Sequence, residues 1–403
     1  MDEQRCESLL AEARALSSER RWQDAAGRFA KAAASLASAG RGDEAQQAFA
    51  AGGDAAWRAD LPDLAMRCLV RSRERLDPGS PLRGVRAVQM AGVLMELGEL
   101  GSAGLLLDEV EESEPAREVM MVMLDIRIAI DLHLGRVGRA HSDLALLESL
   151  VGEDAAPVLL FRQGQLATRL GQFTDAVDAL SACVALIEGR DAYDGPRGAA
   201  LLELADVACF REDFDDALGL LEQAARAWER AGRRSGVIRV EAARMALLGC
   251  MGVVETLTSG LERGLRFAKE RDLRLLEVEL RVASGVCHAA RDPQRSAAQL
   301  DRAIGLASAM GANTLRGKAL LMRHDNAGGD REALEQACLD LVEIPTWRSR
   351  AFLALAQVLG TTPGGRAEAL EICATALCRF SSMGLEADEA RARGLLWRLA
   401  AGK

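Results

Sequence analysis

Leu160-Phe-Arg-Gln-Gly164-Gln-Leu-Ala167-Thr-Arg-Leu-Gly171-Gln-Phe173-Thr-Asp-Ala176-Val-Asp-Ala-Leu180-Ser-Ala-Cys183 decides the fold. Apolar and small residues recur at helical spacing up to Leu170, Gly171 breaks the run, and a second run with the same spacing starts at Phe173. That pattern is two helices joined by a tight turn. The phrase that opens the second helix, a bulky apolar residue with alanine three places on, returns as Trp22-Gln-Asp-Ala25, Leu100-Gly-Ser-Ala103, Val137-Gly-Arg-Ala140 and Phe214-Asp-Asp-Ala217.

With Ala65 added, the alanines at 25, 65, 103, 140, 176 and 217 are 40, 38, 37, 36 and 41 residues apart, and Ala333 and Ala369 repeat the 36-residue step. A fixed period of this size marks a stacked array of helical hairpins, each burying its apolar face against the next. Two further units fit between 217 and 333, at about 236–250 with 253–269 and about 272–290 with 294–309. Their marker is degraded to Thr256 and Ser296-Ala-Ala. Ten hairpins result, followed by a last helix at about 385–399. The organisation expected is an array over 1–235, degenerate hairpins over 236–310, and hairpins with a capping helix over 311–403. A small marker residue lets the two helices of a hairpin approach closely. The larger apolar residue four places on (Phe29, Leu69, Leu107, Leu144, Leu180, Leu221) packs against the neighbouring unit.

None of the nine prolines falls inside a proposed helix, and Gly98, Gly135 and Gly171 stand where first helices end and a left-handed cap is wanted. Hydrophobic content is 49% but aromatics are only 4%, so the apolar mass is Ala, Leu and Val, which suits packed helices. A net charge of −10 argues against general nucleic-acid binding. Nine cysteines without a CxxC pair read as buried thiols of a reducing compartment. The opening Met1-Asp-Glu-Gln-Arg lacks a signal-peptide layout, and no apolar run is long enough to cross a bilayer. A cytoplasmic protein with no membrane insertion is expected.

In Leu160–Cys183, and in Leu201…Ala205…Ala208…Asp213-Phe214-Asp-Asp-Ala217…Leu221…Ala224, the chain resembles the tetratricopeptide repeat (TPR) superfamily. The units are longer than that family's usual repeat and most lack its closing proline. In this they look like the repeats appended to bacterial signal-transduction ATPases and transcriptional activators, as does the closing Phe380-Ser-Ser-Met-Gly-Leu-Glu-Ala-Asp-Glu-Ala-Arg-Ala-Arg. The first hundred residues are also similar to the soluble NSF-attachment adaptors of vesicle fusion, through Trp22-Gln-Asp-Ala-Ala-Gly-Arg-Phe-Ala-Lys-Ala-Ala, Ala45-Gln-Gln-Ala-Phe-Ala-Ala-Gly and Cys68-Leu-Val-Arg-Ser. The resemblance implies an all-α, right-handed superhelical solenoid of about ten hairpins whose first helices line a concave face.

Carried onto matching units, that face would hold Leu10, Trp57, Val88, Met95, Leu132, Phe161, Leu202 and Phe210, with Arg14, Arg58, Glu96, Asp125, Gln165, Arg169 and Asp206 as polar companions. Exposed apolar groups flanked by charge suit an amphipathic segment of another protein. The leading units contain no asparagine, which argues against a clamp for C-terminal carboxylates or peptide backbone. His133, His141, His288 and His324 show no ligand spacing, phosphate loops and nucleophile elbows are missing, and neither metal, cofactor nor catalysis is expected. The arginines at 226, 230, 233, 234, 239 and 244, interspersed with Glu229 and Glu241, read as a solvated face or as a docking strip for an acidic segment. The expected function is a non-catalytic scaffold for a helical or extended segment of a partner protein. The alternatives are an adaptor joining an ATPase to a coiled-coil bundle, or a ligand-sensing module of a bacterial regulator.

Overall fold

A computed structural model describes residues 3–152, 156–253 and 258–402. Its first three hairpins are α1 (Glu3–Ser18) with α2 (Trp22–Ser38), α3 (Gly42–Arg58) with α4 (Pro62–Glu74), and α5 (Leu82–Glu96) with α6 (Leu100–Glu112). The next three are α7 (Arg117–Leu134) with α8 (Val137–Leu150), α9 (Ala156–Leu170) with α10 (Phe173–Leu186), and α11 (Asp194–Phe210) with α12 (Phe214–Ala231). Then follow α13 (Arg234–Cys250) with α14 (Thr258–Glu270), and α15 (Arg274–His288) with α16 (Pro293–Met310). The last two are α17 (Asn313–Ala327) with α18 (Arg331–Asp340) and α19 (Pro345–Thr361) with α20 (Arg366–Met383), and α21 (Glu386–Ala401) closes the array. Among the described residues there is no strand. The fold is an all-α solenoid of TPR-like hairpins.

The fourth residue of every second helix is buried, and in six hairpins it is the marker alanine counted from the sequence at 25, 65, 103, 140, 176 and 217. In hairpins seven to ten that place is taken by Leu261, Ser296, Leu334 and Ala369. Ser296 keeps its hydroxyl buried by donating to the Gly285 carbonyl at 2.7 Å. The expected marker Thr256 lies outside the described residues, and Ala333, one place early, is only half-buried. The residue four places after the marker sets how closely the helices approach. A Cβ on Gly164 of α9 would come within 2.7 Å of Leu180 Cδ2, and one on Gly285 of α15 within 2.9 Å of Leu300. Glycine in the first helix is therefore what lets a full-sized leucine interlock from the second.

The array winds until it meets itself, because the turn of each of the first six hairpins touches the unit five places later. Arg20 pairs with Asp194 of α11, Asp60 with Arg233 beside α13, Glu99 with Arg274 of α15, and Glu212 with Arg391 of α21. The Thr314 hydroxyl of α17 donates to the Leu132 carbonyl at 2.7 Å, and Glu343 accepts the Gly138 N–H at 2.7 Å. At two turns this seam is too tight for any side chain. Gly98 (φ +76°) abuts Met310, and Gly171 (φ +76°) abuts Met383. Where the turn residue is not glycine, it is Arg20, Asp60 or Glu212, all in the left-handed region and all bonded across the seam. Strain at these three positions is offset by the contacts they make.

Candidate functional site

With the seam closed, the first helices enclose an inner wall. Four ionisable groups sit deep within it yet keep part of their surface accessible: His133 of α7, Asp206 of α11, Arg239 of α13 and Lys318 of α17. All four belong to first helices, so the interior is a polar lumen instead of a second core.

Most charge there is matched. Arg162 donates to Asp125 at 2.6 Å and to Gln165 at 2.5 Å, and Gln165 donates to Glu203 at 2.8 Å. Arg169 lies 3.4 Å from the same Glu203. Arg239 bridges Glu279 at 2.7 Å and Glu96 at 3.8 Å, and Glu279 chiefly holds its guanidinium above the ordinary value. Two groups stand outside these pairings. Lys318 has no hydrogen bond or ion pair among the described residues and lies 4.9 Å from the centroid of the Trp347 ring. Asp206 also has none, although it and Lys318 attract each other at longer range.

Burial, helped by Arg169, lowers Lys318 to about 8, and burial with the neighbouring Glu203 raises Asp206 to about 6. Burial, then Arg169, Arg239, Lys318 and Arg162, lowers His133 to about 3, so its ring is neutral at pH 7. Next to Lys318, Phe210 and Trp347 stack edge-on at 5.4 Å, with the Arg350 guanidinium 4.9 Å from Phe210 and bound to Asp388. Such a wall can orient a ligand by complementary charge. Among the described residues no group of three His, Cys, Asp or Glu could hold a metal ion.

The residues expected on the concave face are spread over this interior and its rim. Gln165, Arg169 and Asp206 come together in the charged wall. Phe210 and Leu132 are buried, Phe210 among aromatics and Leu132 in the core below Thr314. Trp57, Met95 and Phe161 are half-buried: Arg233 covers Trp57 at 4.7 Å and Arg162 covers Phe161 at 5.2 Å. Arg14 and Arg58 are exposed, Arg58 paired with Asp54 at 3.0 Å and lying over Trp22. Lys318, Trp347 and Arg350 were missed because sequence matching stopped at the sixth unit, although they lie on first helices that the period had already located. Not every cysteine is buried: Cys250 and Cys378 are exposed and Cys209 is half-buried, since each projects off its helix's packing face.

This geometry is an all-α solenoid of helical hairpins whose inner wall is built on the first helices. The chain matches no protein-family model and no curated protein. Among solved structures, a Rap protein complexed with competence and sporulation factor is similar in fold, with TM-score 0.56 at 14% identity over 89% of this chain and 100% of that one. The apo form of RapI aligns with TM-score 0.43 at 10% identity over 79% and 97% of the two chains, and the P58(IPK) TPR domain with 0.31 at 12% over 98% of each. None of these is an attachment adaptor, and that likeness gains no support. No described helix is long and apolar enough to cross a membrane.

Proposed function

We propose that this chain is a non-catalytic interaction scaffold whose inner wall receives a helical or extended segment of another protein. The reading rests on one observation: Lys318 and Asp206 face the lumen with no hydrogen bond or ion pair among the described residues and attract each other only at longer range, whereas Arg162, Arg169 and Arg239 beside them are each matched by a carboxylate at close range. Leaving a deep charge unmatched costs free energy that an incoming group of opposite sign recovers. Gln165, Arg169 and Asp206 are the contact residues we assign from the sequence set, with Lys318 added. Leu132, Phe210, Met95 and Trp57 shape the wall. The Rap protein of similar fold is complexed with competence and sporulation factor, in keeping with a binding role for such a solenoid. The surroundings of Lys318 and Asp206 suit recognition of charge.

Lys318→Ala and Asp206→Asn test the assignment, because neither side chain holds the fold through a bond. Affinity purification should recover partners with the parent chain and with Arg393→Ala on the outer surface, and lose them with the lumen pair. Identical partner sets from the parent and the lumen pair would end the proposal.

A further inference from the structure

The seam contains a feature that the scaffold reading does not use. Where the first hairpin's turn meets the seventh hairpin, a cleft of about 270 Å³ opens between Arg20, Arg21, Trp22, Arg234, Phe267 and Arg271. Four guanidinium groups line it against two carboxylates, those of Asp24 and Asp60. Both acids are already engaged: Asp24 by Arg21 at 2.7 Å, and Asp60 by the Ser235 N–H and hydroxyl at 2.8 and 2.6 Å. Arg20 is held by Asp191 and Asp194 and Arg21 by Asp24 and Glu19, but the two cations of the seventh unit are less fully used. Arg271 gives one terminal nitrogen to the Ala59 and Asp60 carbonyls, at 3.2 and 3.0 Å. Arg234 is exposed, lies 5.1 Å from the Phe267 centroid, and has no hydrogen bond or ion pair among the described residues. Among the described residues Arg234 and Arg271 thus line one recess without a carboxylate of their own, in a chain whose net charge is −10.

We propose that this cleft is an anion site for a phosphate monoester. Guanidinium forks recognise phosphate oxygens in pairs, and the two forks of Arg234 and Arg271 together suit an anion with several oxygens, more than a single carboxylate offers. Both belong to the seventh unit and the cleft is closed by the turn of the first, so an occupant would lie in the seam between two turns of the superhelix. Of the six arginines in the docking strip read at 226–244, only Arg234 lines this cleft. Arg226 is spent on Glu222, Arg230 on Asp194, Arg233 on Asp60 and Arg239 on Glu279.

The test is calorimetric titration of the full chain at ionic strength fixed with chloride, using inorganic phosphate, a short phosphoserine peptide and its unphosphorylated twin. Saturable binding of phosphate or phosphopeptide is expected, weakened about tenfold by Arg234→Ala and partly kept by Arg234→Lys. Tighter binding of the phosphopeptide than of inorganic phosphate, with none by the twin, would identify a phosphorylated side chain as the source. Equal binding of both phosphates would identify a free phosphate compound. Arg271→Ala serves as a second variant. No saturable heat with either phosphate, or heats unchanged in Arg234→Ala and Arg271→Ala, would overturn the site.

Discussion

Asp60 caps a helix that begins on the next turn of the superhelix: its carboxylate accepts both the N–H and the hydroxyl of Ser235, 175 residues further on. The first turn of α13 has no side-chain cap from its own N-cap residue, Arg233, so the orphan donor is satisfied across the seam. Asp60 reaches it from a left-handed turn, φ 56°, a conformation that aspartate tolerates better than most residues. Asp60→Ala should cost about 1–3 kcal/mol in urea unfolding, because it removes the cap, leaves the buried Ser235 hydroxyl unpaired and leaves Arg233 with only Glu96, at 4.0 Å. Asp60→Asn should cost less, since the amide oxygen still accepts. A loss under about 0.5 kcal/mol for Asp60→Ala would mean that the seam does not contribute to stability.

Gly98 gives the opposite kind of seam contact, steric instead of polar. Its φ of +76° disfavours any side chain, and a Cβ there would strike Met310 and stand 3.1 Å from Arg274 Cβ. Gly98→Ala is expected to lower stability by more than about 1 kcal/mol, part backbone strain and part overpacking. Gly219→Ala is the control: that residue lies in α12 with nothing within 4 Å of the added carbon, and should gain about 0.5–1 kcal/mol. Thermal melts of the two variants moving in the same direction would contradict this account.

Why the hairpins were legible and the seam was not follows from the range of each signal. The marker alanine and the turn glycine are enforced within one hairpin, over distances a linear pattern records, so ten units and a closing helix could be counted. The Asp60–Ser235 bond depends on how many hairpins complete one turn, which no local spacing encodes. The inner wall was half legible. Gln165, Arg169 and Asp206 follow from the first-helix register, but Trp57 and Phe161, though correctly placed on first helices, are half-buried because arginines fold over their rings. In hairpins seven and nine the marker place is taken by Leu261 and Leu334; the period still locates the helix of Lys318, but the family likeness that assigns groove positions ends at the sixth unit.

The interlock between α9 and α10 can be measured directly. Leu180 is fully buried and rests where Gly164 has no side chain. Leu180→Ala should cost about 2–5 kcal/mol through a cavity, and Gly164→Ala about 1–3 kcal/mol through overpacking. Together they should cost less than their sum by about 1 kcal/mol, because each makes room for the other. Strict additivity in the double-mutant cycle would show that the two residues do not set this helix spacing.

Asp131 supplies a pH dependence whose sign can be worked out. It is buried near the end of α7, its Oδ2 lacks a hydrogen-bond partner, and Arg139 and Arg136 approach only to 3.4 and 3.8 Å. Burial raises its pKa to about 6, against the pull of Arg139. The folded chain therefore keeps a proton that the unfolded chain releases near 3.8, and the stability this carboxyl contributes is complete below that value and lost as pH rises through about 6. His133, lowered to about 3, has the reverse sign: its contribution is present above the unfolded value of 6.5 and lost as pH falls. The melting curve of the parent chain mixes the two, and a variant separates them. Asp131→Asn gives up the attraction of both arginines at any pH at which the acid is charged, yet never bears the cost of ionising a buried group. Its stability relative to the parent should improve from about pH 5 to about pH 7, by no more than about 1.4 kcal/mol per pH unit. A constant difference across that range would place the Asp131 titration outside it and refute burial as the dominant influence on the group.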